Sequence, residues 1–329
     1  MKAETLKKAI LQYAMEGKLV AQDPNDEPAS KLLKRIKAEK EQLIKDGKLK
    51  KEKPLPPITE EEIPYELPQG WEWVKLDEIA LFENGDRSKN YPVDKDYVKE
   101  GIPFFGAKDI HNDKLIVSSE LRYINQQKFD SLRSGKLKDK DIVVLLRGSV
   151  GKWAEFNKNN VFNTGFINAQ MVILRLLDKS LFEYFKVVLN SNLFVSQISN
   201  KKSGSAVAQM SAKDLSEFII ILPPLEEQKR IVEKLEEILP LVEEYGKNEE
   251  KLSKLNETLP KKIRQSILQH AVQGKLVPQN PNDEPASELL KRIKSEKEQS
   301  NYNKIYNIVN YLTIPLNNYI EYQFKIKNN

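Results

Sequence analysis

A passage reading "GKLVAQDPNDEPASKLLKRIKAEKEQ" at Gly17 returns as "GKLVPQNPNDEPASELLKRIKSEKEQ" at Gly274. Aligned without gaps, Ala9–Gln42 and Ser266–Gln299 agree at 26 of 34 positions, at a constant offset of 257. Nothing between them resembles either copy. Solenoids repeat every few dozen residues, so a period this long excludes that architecture. What is counted here is larger than a structural repeat.

Within the first copy, Leu6, Ile10 and Ala14 share one face of a helix over 6–20, and Gly17 is placed to stop it. "DPNDEPAS" is turn chemistry. Pro24 and Pro28 forbid helix continuation, and Ser30 is positioned to cap the next helix. From Lys31 a charged helix runs with Leu32, Leu33 and Ile36 as its apolar stripe. Between Lys31 and Lys53, ten Lys or Arg face four Asp or Glu, a pattern of a solvated helix face that leaves nucleic acid open as a partner. Five prolines between Lys53 and Gly70 then predict an extended, semi-rigid linker and the first domain boundary.

From Trp71 the texture changes to short strands and turns. "GIPFFGAKDI" reads as a strand with a glycine turn. "DIVVLLRGSVGKWAEF" reads as a hairpin of Ile142–Leu146 and Trp153–Phe156 around Arg147-Gly148-Ser149. "FINAQMVILRLL" reads as one further strand, and 181–200 as a helix burying Leu181, Tyr184, Phe185, Val188 and Leu189. Ser211 stands three residues before Asp214, the spacing of a capped short helix, and "FIIIL" is a buried strand closed by Pro223–Pro224. Trp71 and Trp73 are expected to anchor the linker to this core. The fold class is therefore α/β (α+β) over 71–223, preceded by a helical segment 1–53 and a linker 54–70.

After the prolines the period becomes helical and stays so. Ile231, Leu235, Ile238, Val242, Tyr245, Leu252, Leu259 and Ile263 form a heptad-like stripe that needs a partner helix, within the chain or in another. Pro240 and Pro260 predict kinks or a break in it. This helical region covers 224–299, and an Asn- and Tyr-rich tail covers 300–329.

Several chemistries are excluded. With no cysteine there are no disulfides, thiolate nucleophiles or Cys-ligated zinc. "GSVGKW" fails as a phosphate loop, because Leu146 stands where the first glycine belongs and Trp153 replaces the hydroxyl. The two histidines, His111 and His270, sit in unlike contexts. No methyl-donor loop, metal site or nuclease carboxylate pair is present, so the chain reads as non-catalytic. No apolar run reaches membrane-spanning length, and a cytoplasmic protein is the expectation. The 40% hydrophobic and 31% charged residues suit a real core with long solvated helices.

Together "ELPQGWEWVKLDEI", "GIPFFGAKDI", "DIVVLLRGSVGKWAEF", "GSAVAQMSAKDLSEFIIILPPLEEQKRIVEKLEEI" and "IRQSILQHAVQGKLV" resemble the DNA specificity subunits of type I restriction-modification systems, over about residues 6–299. The resemblance implies two target-recognition domains per full chain, each followed by a conserved long helix. The helices pair antiparallel as a coiled-coil-like spacer, and the readers sit about one duplex turn, roughly 34 Å, apart. It also explains the duplication: the family's chain is a head-to-tail repeat of domain plus helix. Residues 6–42 are the tail of one unit and 266–299 the same tail one period later. This chain is then expected to be a half subunit, naturally short or truncated, with one recognition domain.

By the same resemblance, the partners are double-stranded DNA, methyltransferase (modification) subunits, a restriction/translocase subunit, and a second half specificity subunit, identical or different. No cofactor is bound by this chain; S-adenosylmethionine, ATP and magnesium are expected on the partner subunits. Affinity is expected from Lys and Arg on phosphates and specificity from side chains at base edges. The loop candidates are Lys108, His111 and Asn112; Arg147, Ser149 and Lys152; and Lys201, Lys202 and Ser203. Gly148, Gly151 and Gly204 are expected to allow close backbone approach. Two other readings compete: an assembly fragment that joins the complex without productive recognition, and a standalone DNA-modifying enzyme, which the missing motifs disfavour.

Overall fold

The computed structural model describes residues 2–51, 55–158, 162–202 and 209–299. It divides into two compact units at Lys251/Leu252, a point inside one long helix. The tail from 300 lies outside the described residues.

A six-stranded sheet organises the first unit. Its order is Ala80–Asn84, Met171–Leu176, Asp141–Leu145, Trp153–Phe156, Lys114–Leu115, Ile110–His111, with every neighbour antiparallel except the pairing of Lys114 with Glu155. Side chains alternate across a strand, so a strand buried on both faces serves two cores at once. Ile142 and Val144 enter one core with Val172, Leu174 and the helices, while Val143 and Leu145 enter a second with Ile173, Phe105 and Ile110. This is why "DIVVLL" is apolar without a break. A four-stranded sheet (Phe166–Ile167, Ile102–Phe105, Arg122–Ile124, Tyr97–Val98) flanks it and stacks Tyr97 on Phe104 at 5.9 Å. The expected single strand over "FINAQMVILRLL" is thus two, in different sheets, parted by the turn at Asn168–Gln170. The predicted helix over 181–200 likewise divides into Phe182–Leu189 and Asn192–Lys202, where the Ser191 hydroxyl donates to Val188 and accepts the Phe194 amide.

The two ends of the recognition domain meet. Glu72–Lys75 pairs antiparallel with Ile219–Leu222, and the Trp71 indole N–H donates to Glu227 Oε2 at 2.8 Å. Trp73 meets Tyr65 edge-on at 5.5 Å, so both tryptophans anchor the linker as expected.

The linker is not a boundary between cores. Leu11, Ala14, Met15, Ala29, Leu32 and Ile36 share one core with Trp71, Leu76, Ile79, Ile231 and Leu235. The first-copy helix Ala3–Met15 runs opposite to the long helix. At one end the Ala3 amide donates to Glu249 at 3.0 Å, and beyond the other Asp26 pairs with Arg230 at 2.5 Å. The second helix, Ala29–Lys45, is not capped by Ser30. Its first amide donates to the Gly70 carbonyl at 2.9 Å, a tertiary contact no local pattern announces.

The long helix, Leu225–Val272, continues unbroken through both prolines. Pro240 and Pro260 leave the carbonyls of Glu236 and Asn256 without their helical donor. Both positions are solvent-exposed, so water serves these oxygens instead. Of the predicted docking stripe, Ile231, Leu235 and Val242 are buried and Ile238 half-buried inside the first unit. Tyr245, Leu252, Leu259 and Ile263 are exposed. The stripe therefore divides, and its N-terminal half has its partner in the same chain. In the second unit the helix ends at Gly274, and a further helix spans Ala286–Gln299.

Candidate nucleic-acid interface

Strand pairing brings separate loops to one end of the six-stranded sheet. Asn84 faces Val172, Leu145 faces Met171, and Val144 faces Trp153. The segments just beyond those residues are 85–91, 168–170, 146–152 and the bridge partner of Arg147, Gln209. Backbone bonds lock them together. The Leu146 amide donates to Gln170, and the Met210 amide to Leu146, both at 2.9 Å.

Arg147, Gly148 and Ser149 form the exposed tip. Gly148 has φ +76° and nothing near its missing Cβ, so the tip is open to an approaching ligand. Gly151, at φ +84°, has a different role: a Cβ there would lie 2.3 Å from Ile198, so it seats the loop on the helix Asn192–Lys202. Lys152 donates to the Ile110 carbonyl at 2.7 Å and so joins this loop to the group at 108–112. In that group Asn112 and Asp113 both have positive φ, +47° and +60°. That is the geometry of a two-residue type I′ hairpin turn between Ile110–His111 and Lys114–Leu115. The His111 Nε2 lies 2.8 Å from the Lys108 carbonyl, which only accepts, so this nitrogen carries the proton. Lys108 is exposed and shares its charge with Glu120 at 3.1 Å. Burial pushes the Asp113 carboxyl up, against the pull of Lys7.

Lys201 closes the third group, 3.6 Å from Asp214, whose side chain forms a capping box with Ser211. Hydrogen bonds from Ser211 hold the Asp214 carboxyl below the ordinary range. The Lys202 side chain, Ser203 and Gly204 lie outside the described residues.

One cation at this edge escaped the sequence reading. Arg87 follows the first strand of the sheet and donates to the Ala169 carbonyl at 3.0 Å, with Lys89 exposed nearby in sequence. Asp86 fixes that loop by accepting the amides of Ser88 and Arg133, each at 2.6 Å. Burial alone would raise its carboxyl; these amides outweigh it and hold the group below the usual range. The signal was present in "NGDRSKN", a turn-forming Asp with two following bases, but only the sheet register places it beside 168–170.

The edge is therefore a basic rim of short loops on a rigid sheet, carrying Arg, Asn, Ser and Lys side chains and no cluster of carboxylates. Among the described residues, no group of three or more His, Asp or Glu is placed to hold a metal. Neither is there a helix long and apolar enough to cross a membrane. Such a surface recognises and positions a polyanion.

That class of protein is what the comparisons return. The family described as "Type I restriction modification DNA specificity domain" matches residues 68–265. The specificity subunit of the EcoAI type I restriction enzyme from Escherichia coli is 35% identical across 89% of this chain and 55% of its own length. That of EcoEI, also from Escherichia coli, is 33% identical over the same shares. A solved HsdS subunit from Thermoanaerobacter tengcongensis aligns with TM-score 0.43 at 21% identity, covering 83% of this chain and 58% of that one. The chain belongs to the type I restriction-modification DNA specificity family, as a specificity chain rather than a catalytic one. It spans about half the length of the curated relatives it matches.

Proposed function

We propose that this chain reads one half of a split DNA target and carries a methyltransferase and a restriction subunit to it, as one of a pair of half subunits. The observation that carries this reading is the convergence of three loop groups, from 108–112, 147–152 and the region of Lys201, on one sheet edge. Arg87 stands beside them. Arg147 and Asn112 are the base readers. Arg pairs in a bidentate way with guanine and Asn with adenine in the major groove, each worth about 1–3 kcal/mol of discrimination. Arg87, Lys89, Lys152 and Lys201 hold phosphates. Chemistry belongs to the partners, which bring S-adenosylmethionine, ATP and magnesium; the exposed stripe from Tyr245 through Ile263 is where helices of the assembly meet.

The test is methylome sequencing of a host expressing this chain with its modification subunit, against the modification subunit alone. A new split motif supports the reading. A palindromic motif means two identical copies, since a two-fold pair reads one half-site twice, and an asymmetric motif means a different partner half. No new methylation sinks it and leaves an assembly fragment.

A further inference from the structure

The two copies of the repeat share a sequence and a local fold but not an environment. Gly17 and Gly274 stop their helices at φ +68° and +67°. The Lys18 amide returns to the Tyr13 carbonyl at 2.9 Å, and the Lys275 amide to that of His270 at 2.8 Å. The ion pair of Arg35 with Glu27 recurs as Arg292 with Glu284. The apolar side chains are treated oppositely. Leu11, Met15, Leu32 and Ile36 are 5, 1, 2 and 1% exposed. Their equivalents at the same offset, Leu268, Val272, Leu289 and Ile293, are 56, 90, 43 and 41% exposed.

The first copy shows what covers such a face. Its apolar residues share a core with Trp71, Leu76 and Ile79 of the recognition domain and with the first turns of the long helix. Two charged contacts fix its position: Asp26 with Arg230 at 2.5 Å, and Lys40 with Asp77 at 3.6 Å. The second copy retains both of its sides of these pairs, as Asp283 and Lys297.

We infer that the second copy is a docking face for a second recognition module of the same class, carried by a different chain whose own groove is open. This rests on the reading of the chain as one of two readers and names its partner. The groove that fits has an indole-and-aliphatic floor for Leu289 and Ile293, an arginine for Asp283 and a carboxylate for Lys297. An identical copy is the poorer occupant. Residues 3–299 hold two such faces and one groove, and the first copy already fills it. Exchange between identical copies therefore adds no contact and loses some. Val272 replaces the larger Met15, and Pro260 stands at the position of Ala3, without the N–H that reaches Glu249. The first copy is also tethered to its groove through the linker, which gives it a high effective concentration there.

The test uses full-length chains. Leu32→Asp with Ile36→Asp evicts the first copy and opens the groove. This variant is mixed with a tagged unsubstituted chain and sized by light scattering. A one-to-one pair is expected, weakened at least tenfold by Leu289→Asp with Ile293→Asp in the tagged chain. Because the second copy carries the same side chains, it is expected to rescue an opened variant that fails to fold alone. A variant that neither pairs nor is rescued overturns the proposal. A second measurement needs no variant: hydrogen exchange of the unsubstituted chain. Amides of 31–45 are expected to exchange at least a hundredfold more slowly than those of 290–297, at every protein concentration. Protection of 290–297 that grows with concentration means an identical copy covers the face, and overturns it too. DNA reading is scored separately by footprinting, so failure of either conclusion leaves the other standing.

Discussion

Ile36 and Ile293 are the same residue in the same seven-residue context, "ELLKRIK" or its Lys-headed twin, yet one is buried and the other open to solvent. Truncation to alanine removes three carbons from each. At Ile36 the lost transfer energy is about 2.4 kcal/mol, at roughly 0.8 per buried methylene. The cavity left against Leu76 and Ile79 raises the total to about 3–4 kcal/mol, inside the range for buried Ile→Ala. For a unit of this size that lowers Tm by about 6–16 °C. At Ile293 an exposed site keeps the change within about 0.5 kcal/mol, and alanine's better helix propensity opposes even that. Thermal melts followed by tryptophan fluorescence report the first unit, since Trp71, Trp73 and Trp153 all lie there; circular dichroism reports both units. Equal shifts for Ile36→Ala and Ile293→Ala would refute the claim that the two copies differ in burial.

Arg147→Ala is expected to abolish or relax site recognition in footprinting while the melt stays within about 0.5 kcal/mol of the parent, as for exposed sites; unchanged protection removes Arg147 from the interface. Arg175 pairs with Asp141 at 2.7 Å and Glu83 at 3.0 Å. Burial already pushes the Asp141 carboxyl up against the pull of Arg175, so Arg175→Met leaves two carboxylates uncompensated and is expected to cost about 3–5 kcal/mol in a urea titration. For Asp86 the folded carboxyl lies below its unfolded range, so it adds stability above pH of about 3.9 and loses it as pH falls toward the folded value. Asp86→Asn is expected to flatten the fall of Tm between about pH 5 and 3; an unchanged slope places the acid sensitivity elsewhere.

Much of the recognition domain was legible because its patterns are local. The hairpin around Arg147, the capped helix after Ser211 and the buried strand before Pro223 each depend on neighbours within about a dozen residues. Ser30 failed as a cap because the Ala29 amide is claimed by Gly70, a partner forty positions away. The break expected at Pro240 and Pro260 failed because exposed carbonyls are served by water. Arg87 was missed because its place at the loop edge depends on which strand the first one pairs with. Strand register is set by whole faces and not by any one segment.

By itself the sequence determined that the chain is built on a module period, that it carries one mixed α/β reader ahead of a long helix, and that no cofactor-loop or thiol chemistry is present. Residue type and spacing suffice for those. Only the tertiary structure decided that the first repeat belongs to the reader's own core and that the linker divides nothing. It alone shows that the second repeat keeps an identical apolar face uncovered. Two nearly identical sequences fold alike locally, because helix and turn geometry depend on near neighbours. Whether their side chains are buried depends on surfaces far away in the chain, and only one of the two copies has such a surface to meet.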